Sequence, residues 1–255
     1  MTAAPAGQPP GARPGRVAGI LLAAGSSRRM GTDKLWAPLA GRPLIAWPIL
    51  AFASCDSVDE LVVVTAAASI DRTEKLLEEL EVQARVVEGG QRRRDSVFAG
   101  LRSASDADTV VVHDAARPLV TSELIASAIV ASCPTGAAIV AIPAVDTIKV
   151  VEEGLVVDTL RRDLLWSAQT PQAFRRSLLL DAHQAITDNA TDDAALVESL
   201  GVPVRVCVGS RANIKVTTQT DLELAAALLA ARRKAAKAES RAAGHERLAV
   251  QGLSG

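Results

Sequence analysis

At 255 residues, with 49% of them hydrophobic, the chain can bury a substantial core as one large or two small domains. A formal net charge of -1, with no Tyr and only three Phe and three Trp, offers neither the overall basic excess of many nucleic-acid binders nor an aromatic platform for stacking bases. The cysteines (Cys55, Cys133 and Cys207) are odd in number, far apart and without metal-ligand spacing, the pattern of buried thiols in a reducing cytoplasm. Residues 1–15 are rich in Ala, Pro and Gly without an apolar run, which reads as a disordered leader and not a signal peptide. No later run reaches the length of a membrane span. One domain is expected over residues 16–234. Short aliphatic runs predict strands at 17–24, 60–65, 84–88, 109–113, 137–142, 202–208 and 213–216. Between them, helical periodicity falls at 43–54, 69–80, 92–103, 122–132, 178–186, 192–200 and 221–234. That alternation predicts an α/β domain with a mainly parallel, Rossmann-like sheet covered by helices on both faces. The charged, Ala-rich stretch 235–255 reads as a frayed helix end and a flexible tail.

Polar motifs fall where such a sheet puts its ligands, at the carboxyl ends of strands. The first strand runs into Ala23-Ala24-Gly25-Ser26-Ser27-Arg28-Arg29-Met30-Gly31-Thr32-Asp33-Lys34. Small residues there let backbone N–H groups approach an anion, and Arg28, Arg29 and Lys34 can neutralise a polyphosphate. The loop lacks the Gly-Lys-Ser/Thr ending of a P-loop. It also lacks the spaced glycines and ribose-binding acid of a dinucleotide fingerprint. A solvated basic turn is the plain alternative. The third strand leads to Gly89-Gly90-Gln91, with Ser96 near the start of the next helix. The fourth ends in His113-Asp114-Ala115-Ala116-Arg117-Pro118. A carboxylate at that place requires a cation, either a nucleotide-bound Mg²⁺ or Arg117 as a structural partner. His113 is expected to point into packing. Arg162 and Lys215 suit a second phosphate, although a lone Lys in an apolar strand also snorkels outward. No Ser/His/Asp or Cys/His constellation stands out, which suits a reaction whose nucleophile is an already ionised phosphate oxygen.

Residues 145–167 break the rhythm. Asp146-Thr147-Ile148-Lys149-Val150-Val151, a Glu152-Glu153-Gly154 turn and Leu155-Val156-Val157-Asp158-Thr159-Leu160 predict a β-hairpin arm. A lone hairpin is marginal in water, so it should pack on a partner subunit or fold back on its own domain.

With the loop, Gly-Gly-Gln, His-Asp-Ala-Ala-Arg-Pro, Asp-Thr-Ile-Lys, Thr-Pro-Gln and Asn-Ile-Lys-Val-Thr in this order, the sequence from about Val17 to about Leu229 closely resembles the 2-C-methyl-D-erythritol 4-phosphate cytidylyltransferases. The resemblance implies a single-domain nucleotidyltransferase fold, a cytoplasmic homodimer embracing through its arms, and Mg²⁺ as cofactor. It implies transfer of CMP from CTP to the polyol phosphate with release of pyrophosphate, in the non-mevalonate isoprenoid pathway. Carried over by position, Ala23, Ala24, Gly25, Gly90, Gln91 and Ser96 would hold CTP, and Arg29 and Lys34 would be catalytic. Asp114, Arg117, Thr147, Arg162 and Lys215 would bind the polyol phosphate, with Thr147 and Arg162 reaching over from the partner's arm. In this chain the link between Arg29 and Lys34 is shorter than in many members, and Gln91 stands where an acidic residue is frequent. The competing readings are a sister cytidylyltransferase for a pentitol phosphate such as ribitol 5-phosphate, a dinucleotide-dependent oxidoreductase, and a non-catalytic nucleotide-binding protein. Neither nucleic acid nor a membrane is expected as a partner.

Overall fold

The computed structural model describes residues 15–25, 34–186 and 192–251, the side chains of 237 and 239–251 excepted. The expected leader up to residue 14 and the last residues of the tail, 252–255, lie outside that range. Strand β1 (Val17–Ala23) is followed by a 3-10 turn (Lys34–Trp36), a short hairpin of β2 (Pro38–Leu39) and β3 (Arg42–Pro43), and helix α1 (Ala46–Ala53). Then come β4 (Glu60–Thr65), a 3-10 turn (Ala67–Ser69), α2 (Ile70–Glu79), β5 (Arg85–Glu88), α3 (Arg93–Ser103), β6 (Thr109–Asp114), α4 (Ser122–Ser132) and β7 (Ala137–Pro143). Hairpin strands β8 (Lys149–Glu152) and β9 (Leu155–Thr159) lead through a 3-10 turn (Arg162–Leu164) into β10 (Trp166–Arg175). The chain closes with α5 (Arg176–Ala185), α6 (Asp193–Ser199), β11 (Arg205–Val208) and α7 (Gln219–Gln251).

The main sheet has seven strands in the order β11-β7-β10-β6-β1-β4-β5. Neighbours pair in parallel except around β10, which runs antiparallel to both β6 and β7. The centre is made of uninterrupted aliphatic runs, and Ile20 of β1 lies between Val62 of β4 and Val112 of β6. Such strands suit a sheet covered on both faces, where alternation would leave polar side chains stranded in a core. One core cluster includes α1, α2, α4 and α7 residues (Phe52, Leu77, Ile125, Leu229), and a second includes those of α3, α5 and α6 (Leu101, Leu179, Val197). These are the two faces of a three-layer α/β domain.

β10 is the strand of the main sheet that sequence analysis missed. Its aliphatic pattern is interrupted by Gln169, Thr170, Pro171 and Gln172, and a proline argues against a central strand. Here the register shifts between Ala168 and Gln172, so Pro171 sits where the ladder is already broken. The polar residues are buried and partnered: Gln169 Nε2 donates to the Ser210 carbonyl at 2.9 Å, and Gln172 Nε2 to Asp192 Oδ2 at 2.8 Å. The strand expected at 213–216 is absent, because its backbone bonds to loops instead: Val216 N–H donates to the Ala116 carbonyl at 2.8 Å. Helix α1 begins at Ala46 and not at residue 43, since Pro43 belongs to β3. Helix α7 continues to Gln251, well past its expected end at residue 234. Of the three thiols only Cys55 is buried; Cys133 and Cys207 are partly exposed. No described helix is long and apolar enough to cross a membrane.

Candidate active site

The carboxyl ends of β1, β4, β5 and β6 open into a cleft of about 630 Å³. Its lining joins segments far apart in sequence: Ala24 and Gly25 after β1, Ala66–Ala68 after β4, Glu88 to Arg93 with Ser96 around the start of α3, Asp114 at the end of β6, and Lys34 and Lys215. Of the residues expected from the sequence, Ala24, Gly25, Lys34, Gly90, Gln91, Ser96, Asp114 and Lys215 are therefore brought together. Ala23 is buried in the core, supporting the loop from behind. Arg29 lies outside the described residues, as does Arg28.

The floor beneath Ala24 explains the Gly-Gly pair. A Cβ on Gly89 would stand 2.5 Å from Ala24 Cβ and 2.7 Å from Ser96 Oγ, so any side chain there would press on both. Ser96 Oγ accepts from Gly90 N–H at 3.2 Å and donates to the Arg92 carbonyl at 3.3 Å. It thus locks the loop onto the first turn of α3. Asp95 accepts from the Arg92 backbone N–H at 3.2 Å and from its guanidinium at 2.9 Å. The positive end of an eleven-residue helix consequently borders the cleft.

Asp114 is the electrostatic centre of the opposite wall. Its Oδ2 accepts from Lys215 Nζ at 2.6 Å and its Oδ1 lies 3.5 Å from Arg93 Nε. Burial disfavours its charge, yet the two cations outweigh burial and hold the carboxyl at about 2. Arg117, the partner expected from sequence spacing, is turned away: its Nη1 donates to the Asn213 carbonyl at 2.8 Å and it does not line the cleft. That bond has its own use. Asn213 is fully buried and donates through Nδ2 to the Thr170 carbonyl at 2.8 Å and to Gln169 Oε1 at 3.3 Å. The extended segment carrying Lys215 is thereby pinned, and the lysine reaches inward instead of snorkelling out. Arg93, which sequence analysis passed over among three consecutive arginines, could have been found only from its place at the first position of a helix.

His113 packs against Phe52 with ring centroids 5.5 Å apart. Its Nδ1 is 3.0 Å from Thr170 Oγ1, and its Nε2 is 3.2 Å from the Arg117 carbonyl. Burial pushes its pKa down to about 4, so it is a neutral strut. Thr170 Oγ1 also accepts from Asp114 N–H at 3.1 Å, so this polar pair braces the end of β6.

Thr147 and Arg162 lie apart from the cleft, on the arm and at its return. Strands β8 and β9 pair only with each other in a sheet of their own. Along them Val151, Leu155, Val156 and Val157 are each more than half exposed. Arg162 Nη1 donates to the Val145 carbonyl at 2.9 Å, closing the base of the arm.

Both oxygens of Asp114 face protein cations, and the described residues include no group of three or more His, Cys, Asp or Glu side chains able to cage a metal. These residues do not fit a Mg²⁺ held by the protein itself.

A mainly parallel α/β sheet whose strand ends bring together the small residues Ala24 and Gly25, a helix N-terminus and paired cations, with no nucleophile–base pair among the described residues, is the arrangement of a nucleotidyltransferase. The sequence model described as 2-C-methyl-D-erythritol 4-phosphate cytidylyltransferase matches residues 17–231, and the chain belongs to this family. The enzyme of that name from Symbiobacterium thermophilum is 45% identical over 217 residues, covering 82% of this chain and 91% of the relative. That from Alkaliphilus oremlandii is 41% identical over 225 residues, covering 84% and 95%. Among solved structures, the 4-diphosphocytidyl-2C-methyl-D-erythritol synthase of Anaerococcus prevotii superposes with a TM-score of 0.76 at 30% identity, covering 84% of this chain and 98% of that one. The 2-C-methyl-D-erythritol 4-phosphate cytidylyltransferase of Thermus thermophilus does so with a TM-score of 0.70 at 32% identity, covering 82% and 97%.

Proposed function

We propose that the protein transfers CMP from CTP to 2-C-methyl-D-erythritol 4-phosphate, giving 4-CDP-2-C-methyl-D-erythritol and pyrophosphate. The observation carrying this reading is the convergence, in one cleft, of the loop after β1, the Gly90–Ser96 turn and the Asp114–Lys215 pair, within a chain of that family. A phosphate oxygen of the acceptor attacks the α-phosphorus of CTP, the bond to the bridging oxygen breaks, and pyrophosphate leaves in line with the attack. A phosphate monoester is largely dianionic at neutral pH and needs no base to activate it. His113, the one histidine at the strand ends, is accordingly sealed in the core. The protein supplies alignment and positive charge: Ala24, Gly25, Gly90, Gln91 and Ser96 hold the nucleotide, and Arg29 and Lys34 stabilise charge growing on the transferred phosphoryl group. Mg²⁺ would arrive on the triphosphate, bound by phosphate oxygens, and would offset part of its charge.

Lys215 and Asp114 form the acceptor end, and Arg117 supports it through Asn213. We place Thr147 and Arg162 in the cleft of a partner subunit. The apolar exposure of the arm supports a homodimer built through it, and the free thiols suit a cytoplasmic setting. Pyrophosphate release measured across CTP, ATP, GTP and UTP, with methylerythritol phosphate and ribitol phosphate as acceptors, tests the reading. Turnover confined to CTP with methylerythritol phosphate is expected; turnover with ribitol phosphate instead would move the chain to the sister activity, and no release with any pair would overturn the reading.

A further inference from the structure

Asp193 opens helix α6 and is 1% exposed, a carboxylate inside the protein that no step above uses. A buried ion pair gains little stability over a well-packed apolar pair, so its value lies in what it orients. Asp193 Oδ2 accepts from Arg93 Nη1 at 2.8 Å, and Oδ1 stands 3.4 Å from Nε2 of the buried His183. The start of α6 is itself fixed: Asp192 accepts from Ala195 N–H at 3.0 Å and from Gln172 Nε2 at 2.8 Å. Arg93 faces two ways, since it also lines the cleft, where its Nε is 3.5 Å from Asp114 Oδ1. That distance is at the limit of a hydrogen bond and does not hold a guanidinium; the 2.8 Å bond to Asp193 does. The four charges, Arg93 and Lys215 against Asp114 and Asp193, balance only while all are present. Without the charge at 193, the Arg93 fork is released to close on both oxygens of Asp114, where it competes with Lys215.

We propose that Asp193 is a positioning residue of the transfer reaction: backed by His183, it anchors Arg93 so that the guanidinium steadies Asp114 and leaves Oδ2 to Lys215. The proposal rests on the functional reading above, because Asp114 and Lys215 are there the acceptor end of the cleft. The test is Asp193→Asn, which keeps the size and removes the charge. The expected result is a fall of about tenfold in kcat/KM for methylerythritol phosphate, with KM for CTP changed less than about twofold. In the double variant with Asp114→Asn the loss should be no greater than for Asp114→Asn alone, because both residues act through one arginine. A lowered melting temperature with unchanged kcat/KM, or losses that multiply in the double variant, would reduce Asp193 to a structural ion pair. A second measurement needs neither a variant nor turnover: exchange of the Arg93 Nη1 protons, which face Asp193, followed by NMR in the unaltered protein, should be at least about tenfold slower than that of the Nη protons of the exposed Arg102. Equal rates would overturn the anchoring. Failure of the unaltered protein to release pyrophosphate would instead remove the functional reading and leave the exchange result standing.

Discussion

Replacing Asp114 with Asn removes one negative charge where two cations converge and keeps the shape of the side chain. The folded chain holds this carboxyl at about 2 against an ordinary value of 3.8, which corresponds to about 2 kcal/mol in favour of the charged form at neutral pH. The sign follows from a depressed value: the stabilisation is complete above pH 4 and fades as pH falls through the folded-state value. In urea denaturation Asp114→Asn should therefore be about 2 kcal/mol less stable than the parent at pH 7, and the gap should close on acidification towards pH 2. Lys215, freed from its partner, would no longer be aimed, and kcat should fall by on the order of 10²-fold. The Mg²⁺ concentration for half-maximal rate should stay within about twofold, because the oxygens lost were already committed to Arg93 and Lys215. Unchanged stability together with a tenfold rise in the Mg²⁺ requirement would refute this account and make Asp114 a metal ligand.

Gly89→Ala should raise KM for CTP by about tenfold with a smaller change in KM for the acceptor, since the new methyl presses on Ala24 and Ser96; an unchanged KM for CTP would show that the loop gives way freely. Mixing an inactive Arg29→Ala chain with an inactive Arg162→Ala chain should recover activity, because each mixed dimer holds one site free of both lesions. No recovery after verified subunit exchange would return the arm to its own subunit. His113 should contribute to acid lability: buried and held at about 4 against 6.5, it is protonated more readily in the unfolded chain, so stability falls as pH drops from 6.5 towards 4. By pH 5 this amounts to about 2 kcal/mol. Urea denaturation of His113→Gln at pH 7, 6 and 5 should show a curve flatter than the parent's by that amount, whatever its absolute stability, and parallel curves would discount the histidine.

What could be read from the sequence follows from how locally each feature is encoded. The runs that became β1, β4 and β6 are buried on both faces and carry no polar interruption, so their type and approximate limits are plain. β10 carries Gln169, Thr170 and Gln172 because it borders the loop that supports Lys215; its side chains are chosen for long-range hydrogen bonds, and no local period survives. The segment 213–216 shows the converse, an aliphatic look supplied by Ile214 and Val216 packing from a loop. At the site, Ala24, Gly25, Gly90, Gln91, Ser96 and Asp114 line one cleft while Ala23 lies behind it in the core, whereas pairing by sequence proximity misled: Arg117 is three residues from Asp114, yet the cations at that carboxylate come from positions 93 and 215.

That arrangement bears on selectivity. Lys215 is committed to Asp114 and Arg93 to Asp193 within the protein itself. An anion approaching either of these two side chains must compete with a carboxylate that already satisfies it. On the proposed function, a phosphate dianion held by the rest of its polyol is better placed than a lone monoanion to compete with the 2.6 Å ion pair, because its other contacts keep it in place. The Arg92 guanidinium is likewise held by Asp95 beside the helix N-terminus. On that reading internal pairing makes the acidic partners, as much as the basic residues, part of what an accepted phosphate must overcome.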